Sequence, residues 1–178
     1  NSRVKEIFLP KTLLEADIVV NLPVMKTHEF TIYSGAIKNL FGLIPYRKRI
    51  FLHPNINDVL LNLFRFIKPQ LTVMDALTAM ESNGPTRGLP VKMGLLLMGT
   101  CSLATDIIAT KIMEIDWKEI THLSYIAEKI GFKEENIELI GYEDSFRRRF
   151  TLPNIDLPVK LQLGIYKSPI LTKLLFSN

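Results

Sequence analysis

The residue types best suited to chemistry lie in one short stretch, Asp17 to Gly42, which reads DIVVNLPVMKTHEFTIYSGAIKNLFG. It places Lys26, His28 and Lys38 beside an apolar run. Two lysines can hold a carboxylate or a phosphate, and an imidazole can move a proton or bind a metal. The alternative is that the lysines are solvated and the histidine is structural. A position just beyond a strand favours the functional interpretation for Lys26 and His28.

A buried strand must position these side chains. The β-branched run Ile18 to Val20 has no polar alternation, which predicts a strand covered on both faces. Pro23 has no backbone N–H to donate, so the strand is predicted to end near Asn21 and to continue as a loop over Met25 to His28. Ligands bind beside such strand ends in open α/β sheets.

The second half of the stretch predicts a short helix over Ala36 to Phe41, with Ser34 as its N-cap and Gly42 as its end. Lys38 follows Ile37 and is therefore turned about 100° around the helix. The apolar face can then be buried while the lysine points at the Met25–His28 loop.

Two further segments carry polar residues toward the same edge. Leu71 to Met74 predicts a strand that delivers Asp75 at its carboxyl end, as a general base, a metal ligand or an ordinary hydrogen-bond acceptor. Met80 to Pro90, MESNGPTRGLP, predicts a glycine-containing loop that closes over a ligand. The predicted catalytic residues are His28, Lys26 and Asp75; the predicted ligand-binding residues are Thr27, Lys38, Asn39, Asn83 and Gly84; the predicted metal ligands are His28 and His53.

Four other residues have structural alternatives of at least equal weight. His53 precedes Pro54 and a helix start, so a structural role is as good as a metal-binding one. Asp106 lies at a helix start and is expected to be a hydrogen-bond acceptor. His122, in the first turn of a helix, is expected at the surface, and Cys101 is expected to be a small buried residue.

The remaining elements predict a layered α/β domain with a mostly parallel or mixed sheet and helices packed on it. The helices are expected over Ile56–Ile67, capped by Asn55, over Leu103 to about Ile115, and over Thr121–Ile130, and a last strand over Ile137–Ile140. We expect residues 1–150 to form this single domain, incomplete at its N-terminus, and residues 151–178 to form an extended apolar tail that packs on the domain or on a partner.

Composition narrows the ligand and the compartment. The chain has 178 residues and a net charge of +4, part of it in Arg47–Arg49 and Arg147–Arg149. Without interleaved aromatic residues, this mild excess suits an anionic small molecule better than nucleic acid. No apolar run has the length of a membrane span. The single cysteine, Cys101, excludes disulfides and a four-cysteine iron–sulphur cluster within the chain, and favours a cytoplasmic location.

With NLPVMKTH, GAIKNLFG, His53, LTVMDAL and NGPTRGLP, the chain resembles the domain of unknown function 362 family, often found in iron–sulphur proteins. The resemblance runs from about Lys11 to Tyr142 and suggests the C-terminal portion of that domain. It implies a preceding region and an iron–sulphur module supplied from elsewhere. The matching polar positions are Lys26, Thr27, His28, Lys38, Asn39, His53, Asp75, Asn83, Gly84 and Asp106.

Two functions are compatible with the residues and the resemblance. The first is an enzyme domain of an iron–sulphur-associated redox protein that binds an anionic small molecule or a divalent metal. The second is a non-catalytic assembly module that docks to an iron–sulphur partner through its basic loop and apolar tail.

Overall fold

The computed structural model describes residues 6–45, 49 and 52–154, and beyond these residues 160, 161, 164, 165, 168, 170, 171 and 174. Its strands form one mixed sheet, which confirms the predicted α/β class. The strands are β1 (Val20–Asn21), β2 (Val24–His28), β3 (Ile32–Ser34), β4 (Leu71–Asn83) and β5 (Arg87–Gly99). The α-helices are α1 (Lys11–Leu14), α2 (Ala36–Asn39), α3 (Ile56–Ile67), α4 (Ser102–Ile112) and α5 (Thr121–Ile130).

β4 is the central strand of the sheet. β1 and β2 run parallel to it, one after the other along the same edge, with Val20 opposite Leu71 and Val24 opposite Asp75. β3 extends the sheet antiparallel to β2, and β5 covers the other edge of β4 as an antiparallel partner. The carboxyl end of β2 therefore lies beside the C-terminal half of β4, where Lys26 is opposite Met80.

The prediction of a loop over Met25 to His28 is wrong, because these residues belong to strand β2. Pro23 interrupts the ladder without ending it. Its carbonyl oxygen accepts a hydrogen bond from the Asp75 N–H at 2.8 Å, so a proline that cannot donate still joins β1 to β2. The Lys-Thr-His residues are thus held by a regular backbone.

The segment Met80 to Pro90 is likewise a hairpin and not a loop. β4 and β5 remain paired up to Asn83 opposite Arg87, and residues 84–86 turn the chain. Pro90 is tolerated in β5 because β4 is the strand's only partner in the sheet described here.

The helices pack on one side of the sheet and enclose the core. α3 follows the predicted periodicity, burying Val59, Leu60 and Leu63. Asn55 occupies its N-cap position without a side-chain hydrogen bond, and α5 ends as predicted at Gly131, whose φ is 64°. α2 is short and continues as a 3₁₀ turn over Leu40–Leu43, past the predicted stop at Gly42.

The opposite side of the sheet is open, contrary to the expectation of a strand covered on both faces. By strand register Val20, Val24, Leu96 and Met98 lie on this side, and each is 38% to 73% exposed. On β4, Met74 and Ala76 face the opposite side of the sheet from these four residues and are fully buried under the helices.

The C-terminal part of the chain has little regular structure. Ile137–Ile140, predicted as a strand, is outside regular secondary structure. Thr151 lies against β4, with its carbonyl oxygen accepting from Ser82 N–H at 2.7 Å. Most of the predicted tail lies outside the described residues. No helix in the described part of the chain is long and apolar enough to cross a membrane.

Candidate functional site

Asp106 is the structural centre of the site. This fully buried carboxylate on α4 accepts hydrogen bonds from the Tyr33 hydroxyl at 2.7 Å and from the backbone N–H groups of Ala36 at 2.6 Å and Ile37 at 2.8 Å. It therefore satisfies the N-terminus of α2, the role the sequence assigned to Ser34. Burial raises the pKa of Asp106 to about 6, although these hydrogen bonds oppose the rise.

Gly35 is required by this arrangement. A Cβ atom at this position would collide with the Tyr33 hydroxyl and an Asp106 carboxylate oxygen. The glycine thus lets β3 pass directly into α2, which fixes where Lys38 lies.

Lys38 is a buried lysine among other cations. It is 9% exposed, and its ammonium lies 5.1 Å from the centre of the Phe41 ring. Burial, followed by the positive charges of Lys26 and Arg49, lowers the pKa of Lys38 to about 8. Burial also lowers the pKa of Lys26, an effect that the Asp106 carboxylate partly offsets. Neither lysine forms a salt bridge with a carboxylate of the described residues.

His28 is a neutral hydrogen-bond donor at the end of β2. Its Nδ1 accepts the Phe30 N–H at 3.1 Å, so the proton of the neutral ring is on Nε2. Burial, followed by the charges of Lys38 and Lys26, lowers the pKa of His28 to about 2. The ring is therefore neutral near neutral pH and can donate one hydrogen bond.

His53 joins the same cluster from the turn before α3. Its Nδ1 lies 2.9 Å from the Arg49 carbonyl oxygen, which can only accept, so Nδ1 carries a proton. The ring meets Phe41 edge-on, with centroids 5.2 Å apart, and is close enough to His28 to lower that ring's pKa.

His122 is the residue that sequence reasoning missed. It was expected at the surface, but it is fully buried in the first turn of α5. It acts electrostatically on His28, and Lys38 acts on it in turn. Burial lowers its pKa to about 3. Its spacing of four residues from Ile126, a buried residue of α5, was a signal that could have placed it inside.

Together these side chains make an electropositive cluster in which His28, Lys38 and His122 are buried and the other members are half-buried. We call it the cationic cluster, and its members are Lys26, His28, Lys38, Arg49, His53 and His122. The Asp106 carboxylate acts electrostatically on Lys26, but its oxygens already accept three hydrogen bonds. The structure thus brings together Lys26, His28, Lys38 and His53, as the sequence predicted.

The other predicted ligand-binding residues have structural partners. Thr27 is fully buried and donates to the Ser82 carbonyl oxygen at 2.7 Å. The Asn39 side chain donates to that of Asn21 at 2.9 Å, on an exposed part of α2. The Asn83 side chain accepts the Asn154 N–H at 2.9 Å, and Gly84 packs against the Thr27 carbonyl. Their roles in ligand binding stay predictions.

Asp75 does not lie in the cationic cluster. It is exposed, is paired across the sheet with Val24 and Leu96, and accepts the Leu77 N–H at 2.8 Å through its own side chain. A catalytic role for Asp75 stays a prediction.

The cluster's chemistry suits an anion better than a metal ion. Among the described residues, no group of three or more His, Cys, Asp or Glu side chains is placed to hold a metal. His28 and His53 lie among cations, and such charges oppose the binding of a divalent cation. A metal at His28 and His53 remains an untested prediction.

A separate cavity of about 510 Å³ lies between β5 and residues 136–146. Its lining is mostly apolar, and it contains none of the cationic cluster. It therefore offers little for acid–base chemistry.

One protein family matches the greater part of the chain. The family described as domain of unknown function (DUF362) matches residues 1–111, which include Lys26, His28, Lys38, His53 and Asp106. The match covers more than half of the chain, so the protein belongs to this family.

One curated protein resembles the chain over most of its length. The thylakoid-associated protein sll1697 of Synechocystis sp. is 30% identical over 157 residues, which are 84% of this chain and 48% of that protein. The chain thus spans about half the length of the relative it matches. No solved structure matches it.

Proposed function

We propose that this chain binds a small anion, a carboxylate or a phosphate, at the cationic cluster. The observation that supports the proposal most strongly is the burial of Lys38 beside Lys26 and Arg49. Like charges in a low-dielectric site repel one another and lose hydration, so the folded protein bears a cost for holding them together. A bound anion offsets that cost.

The arrangement also supplies the functional groups that an enzyme needs. Lys38, with a pKa of about 8, exchanges a proton near neutral pH, and neutral His28 offers an Nε2–H donor to an oxyanion. Lys26 orients and neutralises the ligand. We therefore favour an enzyme domain over a passive carrier.

The redox association rests on the resemblance noted from the sequence. The single Cys101 cannot hold a four-cysteine cluster, so an iron–sulphur module would come from another protein or from another part of a longer one. The predicted cytoplasmic location stays a prediction, and the relative's thylakoid association offers an alternative to it.

Thermal denaturation in the presence of small anions tests the proposal. Phosphate, sulfate and dicarboxylates should raise the melting temperature of the wild type more than chloride does at equal ionic strength, because a ligand that binds the folded state stabilises it. Lys26→Ala should reduce the shift, whereas Lys92→Ala, on exposed β5, should not. Equal shifts in all three proteins would contradict the proposal.

A non-catalytic assembly module is the second candidate, and the open face of the sheet favours it. Val20, Val24, Leu96 and Met98 form an exposed apolar surface of the kind that partners cover. Such a module would form a stable complex that survives His28→Ala and is lost when residues after Thr151 are deleted. Retention of the complex in the truncated protein would contradict docking through the tail.

A further inference from the structure

The edge strand β5 has two unlike halves. Its N-terminal half carries the features that keep edge strands from pairing with other chains, namely Pro90, the charge of Lys92, and Gly94 with a φ of 68°, beside which the register with β4 shifts. The following residues, Leu95–Met98, read LLLM and contain no proline, charge or register shift. An apolar edge without such features is suited to pairing with a further strand.

The register shows which backbone groups of Leu95–Met98 point away from β4. The Asp75 N–H donates to the Pro23 carbonyl oxygen, on the side of β4 that faces away from β5. Asp75 and Leu96 are opposite each other, so they are not a hydrogen-bonded pair. The N–H and C=O groups of Leu96 therefore point outward, as do those of Met98 two residues later. Among the described residues, no backbone hydrogen bond outside the sheet ladder involves either of them.

The cavity of about 510 Å³ lies along this outward edge. Its lining includes every residue from Leu95 to Gly99. Successive side chains of a strand point to opposite faces, so five consecutive lining residues indicate a space beside the strand rather than on one face. Residues 136–142 line the space as well, and Ile108 of α4 and Phe132 contribute apolar side chains to it.

The lining opposite β5 contains the segment that the sequence predicts as a strand. Ile137–Ile140, IELI, has no strand partner among the described residues, and Leu139 and Ile140 are exposed. One residue of a packed sheet fills roughly 160 Å³, given a rise of about 3.3 Å, a strand spacing of about 4.8 Å and a layer spacing of about 10 Å. The cavity thus has room for roughly three residues of one further strand.

We propose that this cavity takes an extended peptide segment from outside the chain, which pairs with the backbone of Leu96 and Met98 and places apolar side chains at alternate positions against Ile108 and Phe132. In such strand addition, main-chain hydrogen bonds provide the affinity and alternate side chains provide the specificity. The inference is independent of the cationic cluster, none of whose members lines the cavity.

The segment must come from outside because its strand needs two unpaired edges. It would lie between β5 and Ile137–Ile140, whereas every described strand of this chain already has a partner in the sheet. A second copy therefore offers no described strand that fits. In the C-terminal segment, residues 160, 161, 164 and 165 are helical, so they do not supply an extended strand either.

Amide hydrogen exchange followed by NMR tests the proposal, and the probe is a nine-residue peptide of alternating threonine and valine with a lysine at each end. In the protein alone, the outward N–H groups of Leu96 and Met98 should exchange rapidly, whereas that of Leu97, which faces β4, should exchange slowly. Saturating peptide should slow the exchange at Leu96 and Met98 at least about tenfold and change that at Leu97 by less than about threefold.

Two substitutions at one position separate backbone pairing from side-chain contact. Leu96→Pro removes an N–H that β4 does not use, so the fold should persist while the peptide affinity falls at least about tenfold. Leu96→Thr keeps the N–H and should bind within about threefold of the wild type, because the leucine side chain is exposed. Fluorescence anisotropy of labelled peptide measures both affinities, and circular dichroism checks folding.

A modified peptide repeats the comparison without any mutation of the protein. Methylation of the valine nitrogens removes donors and keeps the side chains, so the wild type should bind this peptide at least about tenfold more weakly.

Three results would overturn the proposal. The first is no binding of the unmodified peptide at about 1 mM, and the second is equal affinity for the methylated one. The third is slow exchange at Leu96 and Met98 in the protein alone. Protection that grows with protein concentration would assign the cavity to a second copy, and protection lost on deletion of the residues after Asn154 would assign it to the C-terminal segment. None of these results bears on anion binding, so the proposed function would stand.

Discussion

Replacing Lys38 by methionine should make the ligand-free protein more stable. Its ammonium has a pKa of about 8 in the folded protein, against an ordinary value of 10.5. Each pKa unit corresponds to about 1.4 kcal/mol, so the charged form costs about 3 kcal/mol at neutral pH. The cation–π contact of the ammonium with the Phe41 ring stabilises the folded protein by up to ~2 kcal/mol, and Lys38→Met loses this contribution. The net expectation is a gain of roughly 1 to 3 kcal/mol.

Urea denaturation at neutral pH, in a buffer without multivalent anions, measures this change. Because the folded-state pKa of Lys38 lies below the unfolded-state value, wild-type stability should rise as the pH increases from about 8 to 10.5. Lys38→Met should lack that rise. Lys92→Met, at an exposed position in β5, is the matched control and should change stability by no more than ~0.5 kcal/mol.

The result that would refute this reasoning is a ligand-free Lys38→Met protein less stable than the wild type by more than ~1 kcal/mol. Lys38 would then contribute net stability as a structural residue. The argument that a buried, uncompensated charge is retained for binding an anion would fail with it.

Three further predictions concern the support of the site and its pH dependence. Asp106→Ala should lower the free energy of unfolding by about 3 kcal/mol or more, because it leaves three buried donors without their acceptor, whereas Tyr33→Phe should cost about 1 kcal/mol; chemical denaturation compares them. Gly35→Ala should cost roughly 1 to 3 kcal/mol in the same assay, since its Cβ meets Tyr33 and Asp106. Stability should fall as the pH drops below about 6.5, because His28 and His122 stay neutral in the folded protein and are protonated in the unfolded chain. Asp106, whose folded-state pKa is raised, opposes part of this fall between about pH 6 and pH 4. Chemical denaturation across this pH range measures the slope. The first prediction would be contradicted if Asp106→Ala were as stable as the wild type, and the second if Gly35→Ala left stability unchanged. The third would be contradicted by a stability that stays constant from pH 7 to pH 4.

The fold class and much of the helical layer could be predicted because their signals are local. α3 has apolar residues at helical spacing from Ile56 to Ile67, and Gly131 ends α5 as expected. The strand and hairpin errors had another cause. Pro23 was interpreted as the end of a strand, and Met80 to Pro90 as a glycine-containing loop. Each of the two prolines lies where the sheet does not need its N–H. Whether a backbone donor is needed depends on the partner strand, which no local pattern shows.

The candidate site was predicted in part for the same reason. Lys26, His28 and Lys38 follow one another along the chain, so their proximity was visible in the sequence. His122 and Asp106 belong to α5 and α4, which lie far along the chain from Lys26, His28 and Lys38. Only the packing of the helices reveals that one is buried beside Lys38 and the other caps α2.

The central claim is that an anion binds beside Lys38, and proton uptake during binding tests it most directly. At about pH 9 phosphate is almost entirely hydrogen phosphate, while Lys38, with a pKa of about 8, is mostly neutral. An anion beside the amine raises its pKa, so the protein should take up nearly one proton per bound phosphate.

Calorimetric titrations in two buffers of different ionisation enthalpy count that proton. Our account predicts that the binding enthalpy of the wild type depends on the buffer. Lys38→Met should take up no proton and should bind phosphate much more weakly than the wild type. A buffer-independent enthalpy, or phosphate binding that persists unchanged in Lys38→Met, would contradict it.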